Sequence, residues 1–146
     1  MAYEAPSLGA LSYGEFLFWS PNGRAAYLNA LDYRPYLEVA ELLRKRFEKF
    51  ANDENLRATV LQKIFGPLAC DPDDLGAPYM MDVKPPCSHC GSSRPRTWDL
   101  VVPPKIVDWE VHEITHNAWS AVSGEQRLAR LDAEVANAER ELAATR

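Results

Sequence analysis

Apolar residues recur at steps of three and four between residues 35 and 64, and that spacing predicts two helices. Pro35 belongs to the first turn of one, with Tyr36, Val39, Leu43, Phe47 and Phe50 along its inner stripe and Glu38, Glu41, Arg44 and Lys45 mostly outside. The second begins at Asn52-Asp53, which supplies a cap, carries Leu56, Val60, Leu61 and Ile64, and is expected to stop at Gly66-Pro67. So short a link makes an antiparallel helical hairpin the default arrangement. A further helix opens at Ser123, three residues before Gln126, which is the spacing of a capping box. Its apolar stripe, Leu128, Leu131, Val135, Ala138 and Leu142, is narrow and heptad-like, so it packs by one seam on the domain or on a partner.

Elsewhere the pattern shortens or takes period two. Residues 1–12 mix Pro6 and Gly9 with small residues and read as a loose lead-in. The run Phe16-Leu17-Phe18-Trp19 before Ser20-Pro21-Asn22-Gly23 predicts a strand and a reversal; residues 25–31 fit either a second hairpin strand or a helical turn. Residues 79–83 read as a short strand leading to Pro85-Pro86, and residues 97–102 as a strand ended by Pro103-Pro104. In residues 106–114, Val107, Trp109 and Val111 alternate with Asp108, Glu110 and His112, a strand signal. Thr115 is placed to cap a short helix over residues 116–122. Strands, a helical hairpin, strands and a terminal helix predict one α+β domain over residues 1–146. It has a small mixed or antiparallel sheet, a zinc-knuckle loop and a peripheral charged helix over residues 123–146.

A chain of 146 residues buries roughly two thirds of its unfolded surface, so a metal is not needed merely to make it fold. Apolar and charged fractions of 47% and 25% are ordinary globular values. The net charge of -5 argues against nucleic acid, and the one basic cluster, Arg44-Lys45-Arg46, is spread around its helix. Neither a leader segment nor an apolar run near the roughly 20 residues of a membrane span is visible, so the expected location is cytoplasmic, off the membrane. Three cysteines, two of them in C-x-x-C, fit a reducing compartment and a metal better than disulfides. Asp71, Asp73 and Asp74 lie in turn chemistry that lacks the order of a calcium loop, and they read as a solvated loop.

The chemistry is concentrated in residues 86–119, which hold two of the three cysteines and all three histidines. In Cys87-Ser88-His89-Cys90-Gly91 a tight turn aims two sulfurs at one point, and Gly91 frees the backbone for the positive φ that such a turn needs. Over these five residues the chain resembles one knuckle of a zinc ribbon, which implies a structural zinc. With no second C-x-x-C, the remaining ligands are sought among Cys70, His89, His112 and His116. The favoured set is Cys70, Cys87, Cys90 and His116, with His112 the alternative in the last place.

A second metal pattern competes for the same segment. His112-Glu113-Ile114-Thr115-His116 resembles the H-E-x-x-H of gluzincin peptidases. The resemblance implies a catalytic zinc on His112 and His116, Glu113 as general base, and Glu134 or Glu139 as third ligand. It requires both histidines on one helical face, with Val107, Val111, Ile114 and Val122 as the buried stripe. The alternation through Trp109 and the position of Thr115 favour instead a strand at His112 and a helix from His116. A thioredoxin-like role is disfavoured because the cysteines lie in a proline-rich loop, not at a helix start after a strand. No nucleophile elbow, phosphate loop or dinucleotide fingerprint is present. The expected function is a non-enzymatic, acidic, zinc-binding interaction module of immunity-protein or antitoxin type. It takes a basic protein partner through residues 71–74 and 108–113, and a zinc metallopeptidase is the alternative.

Overall fold

The apolar run Phe16-Leu17-Phe18 needs a partner strand to pair its backbone, and Gly23 lets the chain return at once. In the computed structural model, which describes residues 3–6, 14–31, 33–81 and 83–145, β1 (Glu15–Trp19) pairs antiparallel with β2 (Ala25–Asn29), Glu15 opposite Asn29 and Trp19 opposite Ala25. Gly23 takes φ 76°, and the turn is closed by Gly23 N–H to Ser20 O at 3.0 Å. The stretch that fitted strand or helix is therefore strand. A third strand, β3 (His112–Glu113), lies parallel to β2, Ala26 opposite His112 and Tyr27 opposite Glu113. The result is a mixed sheet in the order β1-β2-β3.

Phe18, Ala26 and Leu28 on this sheet are buried against α1 (Arg34–Arg46) and α3 (Glu54–Ala69). Val39 and Leu43 of α1 share the core with Val60 and Ile64 of α3, on the stripes predicted for the helical pair, and with Phe65, which that stripe did not include. Full burial of each large side chain contributes about 1.5–3 kcal/mol. The pair is not a simple hairpin, because α1 ends at Phe47 and a separate turn of helix, α2 (Glu48–Asn52), turns Phe50 inward. Asp53 caps α3 as expected, accepting from Leu56 N–H at 2.9 Å.

Gly66-Pro67 does not stop α3, which continues to Ala69 and closes its last turn with Cys70 N–H to Gly66 O at 3.2 Å. Gly66 serves another purpose. A Cβ there would lie 1.7 Å from Tyr79 O, so the missing side chain lets the returning segment cross the helix backbone. That segment makes an isolated bridge between Met80 and Trp19 rather than a predicted strand, and Asp82 falls outside the described residues. The loose lead-in over residues 1–12 also falls outside them, except for residues 3–6.

The last elements, α4 (Asn117–Ala121) and α5 (Gly124–Ala144), complete the core with Trp119, Leu131, Val135 and Ala138. The Ser123–Gln126 capping box is present on α5, and its predicted stripe packs inward on the domain by one seam. Charge is used across the same contact: Arg46 forks onto Asp132 at 2.9 and 2.7 Å, and Arg127 reaches Glu38 at 2.6 Å while lying over the Trp119 ring. The fold is α+β. Among the described residues no helix is long and apolar enough to cross a membrane.

Candidate functional site

Proline-rich chain brings Cys87 to the turn end of the β1–β2 hairpin, where Pro86 stands 3.6 Å from the Cβ position of Gly23. There the cysteine motif forms a tight turn. Gly91 takes φ 71° and donates its N–H to Cys87 O at 2.9 Å, and Cys87 N–H bonds Ser92 O at 2.9 Å. His89 N–H points at Cys87 Sγ from 3.4 Å. That amide, with those of Cys90 and the Cys90 thiol, holds the Cys87 thiol below its ordinary range. Cys87 is buried and Cys90 exposed, and both are free thiols. The turn thus has an amide-to-sulfur arrangement that stabilises a thiolate at Cys87.

Cys70 and His116 form a second, separate pair of neighbours. Cys70 is the cap residue of α3 and half-buried; burial, and then the charge of Asp71, push its thiol up. His116 Nδ1 stands 2.7 Å from Ala69 O, a contact that an N–H makes, which in the neutral ring leaves Nε2 as the bare nitrogen. Nε2 is buried with no hydrogen-bond partner, and the ring lies between Tyr33 and Phe65 at centroid distances of 6.0 and 5.8 Å. Among the described residues no three His, Cys, Asp or Glu side chains gather where a metal ion could bind. The chain brings together Cys87 with Cys90, and Cys70 with the His116 region, without joining the two pairs.

The H-E-x-x-H residues do not share a helical face. His112 and Glu113 lie on β3, whose alternation sends their side chains to opposite sides, and His116 is the residue before α4. Glu113 accepts the Tyr33 hydroxyl, while His112 Nε2 lies 3.7 Å from Glu110 Oε1 in a cleft of about 630 Å³ lined also by Arg24, Asp74, Tyr79 and Trp109. Ile114 alone of the four proposed stripe residues is buried among those described, and Glu134 and Glu139 lie on α5, where Lys49 pairs with Glu139.

The acidic segment after Cys70 is not a solvated loop. Asp73 is only 7% exposed and accepts four hydrogen bonds: from Ser20 Oγ at 2.6 Å, Asn22 Nδ2 at 3.0 Å, Leu75 N–H at 2.9 Å and Ala77 N–H at 2.8 Å. Burial works to raise its pKa, but these donors, Ser20 first, bring it down to about 2. Asp71 caps α4 across the chain, taking the N–H groups of Asn117 and Ala118 at 2.8 and 2.9 Å and the Thr115 hydroxyl at 2.7 Å. The cap expected from Thr115 is therefore supplied by Asp71, which Thr115 holds in place. Asp74 forks with Arg24 at 2.8 and 3.2 Å.

Residues 96–113 present the opposite picture. All of them are exposed, and Val102 and Ile106 reach 86% and 101%. Among the described residues no backbone–backbone hydrogen bond involves residues 95–110. The strand predicted for residues 97–102 is absent, and that for residues 106–114 is reduced to β3, because the register with β2 puts Glu110 opposite Arg24, where the hairpin has already turned. A few contacts hold the segment: Trp109 edge-on to Trp19 at 6.1 Å, Lys84 over Trp98 at 4.6 Å, and Lys105 to Glu4 at 3.2 Å. Trp19 and Trp119 are buried, whereas Trp109 is half exposed. No known family, curated protein or solved structure matches the chain.

Proposed function

We propose that the protein is a zinc-binding recognition module whose contact surface for a protein partner is the segment over residues 98–111. The observation that carries this reading is the exposure of Leu100, Val101, Val102, Ile106 and Val107 in one run. Contiguous apolar surface of this kind marks an interaction site in soluble proteins. Backbone groups over residues 98–110 that have no backbone partner among the described residues favour a partner that adds hydrogen bonds as well as apolar cover.

Zinc on Cys87 and Cys90 fixes the root of the segment. At its other end Asp108 and Glu110 are exposed, and their charge steers a basic partner, as in an immunity protein or antitoxin. In residues 71–74 the Asp71 and Asp73 carboxylates are taken up by internal donors, while Asp74 stays exposed beside Arg24.

The test uses the full chain as bait in an extract of its native cell, at low and high salt, with hydrogen exchange read on the recovered complex. The expected result is a partner whose retention falls with salt, falls in Asp108→Lys/Glu110→Lys, and is lost in Val102→Ser/Ile106→Ser, with amides over residues 98–111 protected. An empty bait, or a partner indifferent to these changes, overturns the reading.

A further inference from the structure

Zinc in a structural site takes four ligands, with sulfur at about 2.3 Å. The knuckle supplies two, and among the described residues no third cysteine, histidine, aspartate or glutamate gathers with them. Cys70 is the cap residue of α3, His116 is bound to Ala69 O with its ring between Tyr33 and Phe65, and His112 lines the cleft beside Glu110. His89 uses its amide to hold Cys87 Sγ.

Outward, by contrast, the knuckle is open. Residues 88–94 are exposed, and a Cβ on Gly91 would meet nothing within 4 Å. We propose that one zinc ion is shared by two copies of the chain, Cys87 and Cys90 of each supplying its four thiolates. This rests on the zinc reading above and names where the missing ligands come from.

A two-fold axis through the metal makes the contact self-complementary, since each copy offers the same pair of sulfurs. Four thiols release their protons to solvent as they bind, leaving a centre of two negative charges. Arg94 and Arg96 follow the knuckle directly and are exposed, so two copies place four guanidinium groups around that centre. In a chain of net charge -5 this loop is where like-charged copies can approach. The dimer then presents two 98–111 segments from one root.

The experiment takes the full chain, stripped of metal and kept reduced, and titrates it with zinc chloride alone while sedimentation velocity reads mass and a chromogenic chelator reads bound metal. One zinc per two chains, with monomer converting to dimer and reverting on chelation, is the expected result. Cobalt(II) in place of zinc should give the charge-transfer band of four thiolates per metal. Cys90→Ser, at an exposed position with its thermal melt as a check on folding, should stay monomeric, whereas Cys70→Ser and His116→Gln should dimerise as the parent does. One zinc per monomer, zinc lost in Cys70→Ser, or a dimer that survives chelation overturns the shared site while the zinc reading stands. Failure to bind zinc at all overturns both.

Discussion

Residues 71–79 and residues 92–111 are both irregular, charged and punctuated by proline, and they differ in where their polar groups go. In the first, Asp73 alone collects two side-chain and two backbone donors, and Asp71 caps a helix distant in sequence. In the second, the main chain has no backbone partner over residues 95–110 among those described, and the apolar side chains face water. Composition does not separate a loop that is finished from one that awaits a partner. The hydrogen-bond inventory does, since buried polar groups are nearly always satisfied within the chain and exposed ones need not be.

The sharpest way to break this contrast is at Gly66, on which the finished segment rests. Gly66→Ala places a methyl 1.7 Å from Tyr79 O, so either α3 or the 79–80 crossing must move. A loss of about 3 kcal/mol is expected, read by urea unfolding; an unchanged midpoint would show that the crossing does not lie on the helix. Asp73→Ala comes next. It leaves the Ser20 hydroxyl and two amides without their acceptor, and roughly 2–3 kcal/mol should go, with the 71–79 amides exchanging faster.

Acid should separate the regions a third way. Folding lowers the Asp73 pKa from 3.8 to about 2, so the unfolded chain takes up that proton first as pH falls. The stabilisation is whole above pH about 4 and is lost on the way down to about 2. Unfolding midpoints of the parent and of Asp73→Asn should accordingly differ by a constant amount above that window and converge within it. Smallest of all is the effect expected from Val102→Ser/Ile106→Ser in the isolated chain, within about 0.5 kcal/mol because those side chains are already in water. A larger loss would mean that the segment packs on its own domain.

What could be read in advance followed from local physics. Periodicity located α1 and α3 and the seam of α5, and local donors and acceptors gave the Asp53 cap and the Ser123–Gln126 capping box. The misreadings share a cause, which is that they depend on residues far away. Gly66 reads as a helix stop until Tyr79 arrives across it, Thr115 as a cap until Asp71 takes the role, and residues 106–114 as a strand until β2 proves too short to pair with them. At the candidate site, C-x-x-C-G was legible because its turn is local. Joining Cys70 and His116 to it depends on tertiary distance, which local pattern does not carry; among the described residues no three such side chains gather. The 98–111 surface could have been suspected from one signal: consecutive apolar residues on either side of Pro103-Pro104, too broken for a strand to bury.

The two residues of β3 also set when the protein can fold. Ala26 and Tyr27 emerge early in synthesis, yet the strand that pairs with them, and the Ile114 and Trp119 that seal the core behind it, emerge only after the helices and the long exposed segment. Until then a nascent chain holds Phe18, Leu28, Val60 and Phe65 without their full cover. Contacts so distant in sequence carry a large loop-closure cost, so final closure of this core waits on residues 112–119.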